Sequence, residues 1–346
     1  MLSGGSREFK SRAASTWVGK FGALVDRAAF RPATLPDDLV IGLALLPPIV
    51  AGLVIFKVPA AEILGIAVAA GVAGIVVAQV LWRRQRPRPG AGPLLAALFG
   101  VALVGAGASV LLVAEIAALA VVLELLRARY IPAIRAQAGL IAFAAVTLIS
   151  RRATLVYFDP HGGNTRDPIA TWDQLFHQSA WVPSPIRLYV GDVPGPVFAT
   201  SLLAVAVGVA WLAYARRASL AVLIAFLAGA LVAIFYFKWD VLFQLDSGPT
   251  WFVAGLLLAN RRYLPESWAL RPMLGFAPGL FAVGLRKSSY GIEAAYFSVA
   301  TLQAVMAVIV LVYWAASVWM ERWKRTRRLK QREANLRVVK SISRAS

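Results

Sequence analysis

The sequence predicts an all-α, polytopic integral membrane protein with about ten transmembrane helices in two inverted five-helix repeats. Three observations predict it. The chain has a mean hydropathy of +0.69 with only 15% charged residues, and a soluble domain that apolar would expose large greasy patches. Its basic residues segregate between alternate connecting segments. Its two halves each interrupt one apolar run at a corresponding place.

Residues 1–38 form a basic N-tail. Within it, "TWVGKFGALVDRAAF" (16–30) sets Trp17, Val18, Phe21, Leu24 and Val25 on one helical face, the pattern of a helix lying in the membrane interface. Residues 1–35 carry charges throughout and show no apolar core of a secretory signal. Residues 39–150 make the first repeat, with spans near 39–57, 60–82, 94–108, 109–126 and 134–150. Residues 151–195 are a hydrophilic loop. Residues 196–320 make the second repeat, with spans near 196–214, 219–237, 250–260, 273–285 and 295–320. The basic tail 321–346 continues as a helix out of the last span, either touching lipid or docking a soluble partner.

Sidedness follows from charge. With the N-terminus in the cytoplasm, the inside segments hold 28 of the 36 Lys and Arg residues and the outside segments 8. Both termini are then cytoplasmic and the 151–195 loop is extracytoplasmic. The net charge of +19 reads as a topology signal plus contact with anionic membrane lipids, not as a nucleic-acid surface.

Chemistry is narrowly bounded. The absence of Cys excludes thiolate-held clusters and haem from this chain. The two histidines, His161 and His177, share one loop and are too few for a metal site. Glu115 and Glu124 stand nine positions apart in one span, on roughly opposite sides of it, and buried carboxylates usually face a bundle interior. "PLLAALFGVALVGAGAS" is stopped by Gly105 and Gly107. "DSGPTWFVAGLLLAN" starts after Gly248–Pro249 and meets Arg261–Arg262. Paired interruptions of this kind point to a binding site near the membrane midplane.

Four stretches carry a family resemblance. "ALLPPIVAGLVIF" (44–56), "LYVGDVPGPVFATSLLAVAVG" (188–208), "RPMLGFAPGLFAVGLR" (271–286) and "SYGIEAAYFSVATLQ" (289–303) together resemble the membrane subunits D of the Rnf complex and B of the sodium-translocating NADH:quinone oxidoreductase. In the second stretch Pro194, Gly195, Thr200, Ser201, Leu203 and Ala204 match, while the family's Gly-Glu pair is Phe198–Ala199. The family's flavin-attachment motif, Asp-x-x-Ser-Gly-Ala-Thr, is matched by "RDPIATWDQL", which keeps Asp167, Ala170 and Thr171 but lacks the Ser-Gly. The resemblance implies a bacterial inner-membrane electron-transfer subunit that is not catalytic alone. It also implies FMN linked through phosphate to Thr171 by a separate flavin transferase, with riboflavin or quinone as further ligands and other subunits of the complex as partners.

The residues around Thr171 suit that attachment. Arg166 is placed to neutralise a phosphate and Trp172 to stack on a flavin ring. An equally specific alternative is local. Thr171-Trp-Asp-Gln174 is a capping box, with Asp173 at the positive end of the same short helix. Thr200 likewise reads either as a cofactor contact or as a span-entry hydroxyl bonded to backbone. Three functions stay open: a flavin-carrying electron-transfer subunit, a small-solute or ion transporter or channel with a urea-channel-like inverted repeat, and an assembly scaffold.

Overall fold

A computed structural model describes residues 32–82, 90–150, 152–161, 168, 184–265, 270–288 and 290–342. The interfacial helix expected over 16–30, the motif residues Arg166, Asp167, Ala170, Thr171 and Trp172, the capping partners Asp173 and Gln174, and His177 lie outside the described residues.

The described chain is helical, with no strand and two isolated bridges, Gly105 to Pro196 and Ala218 to Asn260. Its helices are α1 (Asp37–Phe56), α2 (Val58–Leu81), α3 (Gly92–Val101), α4 (Val110–Tyr130), α5 (Ala138–Ile149), α6 (Pro185–Val190), α7 (Leu202–Tyr214), α8 (Leu220–Phe237), α9 (Val241–Leu245), α10 (Gly248–Trp251, continuing as a π-helix over Phe252–Leu258), α11 (Arg271–Gly284) and α12 (Glu293–Ile342). Four of them, α1, α2, α8 and the first 35 residues of α12, are long and apolar enough to cross a membrane. The chain is an all-α membrane protein.

Local chemistry sets many of the helix starts. Proline occupies the first turn of α2, α3, α6, α10 and α11, where its missing N–H costs nothing. Side-chain oxygens cap others: Ser109 accepts from the amide of Leu112, Gln137 from those of Gly139 and Leu140, Ser201 from that of Ala204 and Asp240 from that of Phe243. Side-chain size decides which face turns inward. In α2 the buried positions are Ala60, Ile63, Ala67, Gly71, Gly74 and Ala78, while Val68, Val72, Val76 and Val80 are exposed. Small residues let backbones approach inside a membrane bundle and large apolar ones suit lipid. α8 packs along α11, α2 along α3 and α4, α1 against α7, and α12 against α11 and α5.

The boundaries depart from the sequence expectation most at the first interrupted segment, while the second, expected over 250–260, is helical over 248–258. The run expected over 94–108 is helical only to Val101, a helix of 10 residues, about half a bilayer core long. Beyond it the freed backbone groups bond to other parts of the chain. The carbonyls of Ala102 and Val104 accept from the amides of Phe198 and Val197, and the amides of Gly105 and Gly107 donate to Thr154 and Val156 at 2.9 Å. The end of α10 is handled the same way: the amide of Ser219 donates to Ala259 at 2.7 Å and that of Arg261 to Arg217 at 2.8 Å. Irregular backbone at membrane depth needs such protein partners, because lipid offers none. At the other extreme, α12 runs on without a break through the basic tail to Ile342.

Candidate functional site

Two polar clusters stand at the starts of the two short helices. The first surrounds the start of α3. Glu124, 5% exposed, accepts two hydrogen bonds from Arg127, at 2.8 Å to Oε2 and 2.6 Å to Oε1. Arg262 approaches the same Oε1 at 3.6 Å and pairs with Asp38. Asp37 pairs with Arg217 at 2.7 Å. Arg127 also donates to the carbonyl of Ile134, and Arg135 donates to that of Leu264 at 2.7 Å. Asp37, Asp38 and Glu124 precede the long loop in the chain, and Arg217 and Arg262 follow it. The pairs therefore clasp the two halves of the sequence together. Glu115, by contrast, is exposed.

The second cluster surrounds the start of α10. Arg286, 2% exposed and the largest fully buried side chain among the described residues, donates to the carbonyl and Oε1 of Gln244, at 3.0 and 2.5 Å, and to Oγ1 of Thr250 at 2.9 Å. Gln244 and Thr250 are themselves buried. Beside them lies a cavity of about 20 Å³ lined by Pro168, Pro194, Thr200, Asp246, Ser247 and Gly248, among others. Ser247 Oγ is buried there with no hydrogen-bond partner among the described residues. Burial pushes the Asp246 carboxyl up and neighbouring Asp240 adds to this, while a hydrogen bond with Tyr189 pulls it down.

Of the sequence-predicted site residues, Thr200 is described, and it is 3% exposed. Ser201, not Thr200, caps α7. The Thr200 methyl packs on Gly195, where a Cβ would come within 2.4 Å of it, and a Cβ on Gly248 would come within 2.1 Å of the Thr200 carbonyl. Pro194 and Thr200 of the resembling stretch, the Gly248–Pro249 interruption and Pro168 of the loop thus meet around one cavity. That cavity has room for a water or two. His161, in the same loop, bonds Asp192 at 2.7 Å. No group of three metal-ligating side chains occurs among the described residues.

Sequence reasoning missed Arg286 and Arg262 as site residues and counted them only as charges. A signal existed for both, since each is a basic residue next to an apolar run in a chain of low charge. No protein-family model matches the chain, and no curated protein matches it.

Proposed function

We propose that the chain is the membrane subunit of a flavin-dependent electron-transfer complex, with ten spans in two inverted five-span repeats and both termini in the cytoplasm. In this reading α3 and α10 are the corresponding half-spans, and the 151–195 loop lies on the outer face carrying FMN on Thr171. Asp167 and Ala170 belong to the attachment segment, Arg166 neutralises the phosphate and Trp172 stacks on the ring. Electrons reach that flavin from a cytoplasmic donor through centres held by partner subunits, and riboflavin or a quinone serves as an intermediate carrier. A flavin transferase supplies the FMN. The observation that carries the reading is the meeting of Pro168, three residues before Thr171, with Thr200 and Gly248 around one cavity. It ties the attachment segment to the interrupted helix.

The test is direct. Protein made together with a flavin transferase is run on a denaturing gel and weighed by mass spectrometry. Flavin fluorescence and the mass of one FMN are expected, and both vanish in Thr171→Ala. A colourless band of unmodified mass would reject the flavin arm. It would favour the second reading, a small-solute or ion transporter, to which two short buried helices with polar starts also lend themselves.

A further inference from the structure

The last helix, α12, is 50 residues long, about 75 Å at the rise of an α-helix. A bilayer with its headgroups takes up about 45 Å of that, so about 30 Å stands in water. The helix contains neither Pro nor Gly, the usual causes of a sharp bend. Exposed Tyr313, Trp314, Trp319 and Trp323 mark its exit from the membrane, and Arg327 stacks over Trp323 at 3.6 Å.

The emergent residues 321–342 hold nine Lys or Arg and two Glu. At about 100° per residue the basic positions fall on every side of the helix. The apolar positions Leu329, Leu336, Val338, Val339 and Ile342 share their half of the circumference with Arg325, Arg328 and Arg332. There is no clean apolar face to sink into headgroups, as a helix lying on a membrane requires. On a rod that stands about 30 Å out of the headgroups, the distal basic positions of the helix lie beyond the Debye length of about 8 Å. Leu329, Leu336 and Val339, spaced seven and three apart, add a narrow apolar stripe among the charges. A protein surface rewards such a stripe and a phosphate backbone does not. We infer that residues 321–342 form a standing rod that docks an acidic surface of a soluble protein.

The full chain is tested in phosphatidylcholine nanodiscs, with labelled polyglutamate as the acidic probe. A variant combining Arg328→Gln, Lys330→Gln, Arg332→Gln, Arg337→Gln and Lys340→Gln keeps good helix formers at every position. It should bind the probe at least about tenfold more weakly, and added salt should narrow the difference. Because the chain has no Cys, Arg337→Cys takes a single fluorophore. In phosphatidylglycerol bilayers with spin-labelled tails that fluorophore should stay unquenched. Quenching would make the tail a lipid-surface helix, and tighter binding of an RNA oligonucleotide than of polyglutamate would make it a nucleic-acid arm. Undiminished probe binding by the Gln variant would remove the rod's role. Each of these three outcomes overturns the inference.

Discussion

The starts of α3 and α10 lie in differently built polar clusters. Each is the positive end of a short helix, and neither is capped by a side-chain oxygen. At α3 the surroundings are ionic. Glu124 and Asp38 are the anions, and Arg127 and Arg262 balance them. Among the described residues none of these four leaves a buried side-chain atom without a partner, although Arg217 Nε in the same cluster has none. At α10 one buried cation, Arg286, is held by neutral acceptors on Gln244 and Thr250, while Gln244 Nε2 and Ser247 Oγ have no partner among the described residues and Ser247 lines a cavity. The ionic clasp holds two parts of the chain together. A partly satisfied polar pocket leaves capacity for another group, which is why the α10 start is the better candidate site.

The comparison breaks first at its two arginines. Arg286→Met removes three hydrogen bonds from a fully buried position and strands Gln244 and Thr250, a loss of about 2–4 kcal/mol. Arg262→Ala leaves Glu124 still held by Arg127, and part of its surroundings is solvent, so about 1–2 kcal/mol is expected. Thermal unfolding of the detergent-purified variants, followed by size-exclusion chromatography, ranks them. If Arg262→Ala proved the more damaging, the clasp rather than the pocket would be the stability-determining cluster.

Two glycines sharpen the contrast. A Cβ on Gly248 would come within 2.1 Å of the Thr200 backbone carbonyl, which cannot swing away. A Cβ on Gly92 would meet Glu124 Oε1 at 2.8 Å, the tip of a side chain that can shift. Gly248→Ala should therefore cost about 1–3 kcal/mol and Gly92→Ala well under about 1 kcal/mol. Equal costs in the same thermal assay would mean that the α3 clasp is as rigid as backbone.

Much of this was legible in the sequence, for reasons that also explain the gaps. The long spans expected over 39–57, 60–82 and 219–237 match α1, α2 and α8 within two residues, because charged residues such as Lys57 and Lys238 end an apolar run sharply. The run over 94–108 is helical for only part of its length, a break that hydropathy misses because it does not distinguish an apolar helix from apolar chain in irregular turns. Val101 to Gly107 is as hydrophobic as α3 but bonds sideways to 154–156 and 196–198. Arg127 with Glu124 is an i, i+3 pair and visible locally. Arg262 lies 224 residues from Asp38, and nothing local announces that pairing. Thr200 and Gly248–Pro249 were each singled out, but for separate reasons; only the folded chain brings them to one cavity.

The last distinction between the clusters is silent at neutral pH. Tyr263, 8% exposed, stands by the ionic clasp, and burial pushes its phenol up to about 12, with Glu124 and Asp38 adding to the shift and Arg262 and Arg127 opposing it. The unfolded phenol ionises near about 10. Below that pH both states keep the proton and the folded protein has its full stability. Between about 10 and 12 the unfolded chain releases a proton that the folded chain retains, so stability falls as pH rises through that window. Thermal midpoints measured at intervals from pH 9 to pH 12 should therefore decline in the parent protein and flatten in Tyr263→Phe. An undiminished decline in Tyr263→Phe would assign the alkaline sensitivity to another group and detach it from the clasp. A flat profile in both proteins would mean that water reaches Tyr263, and that the ionic cluster is wetter than its packing implies.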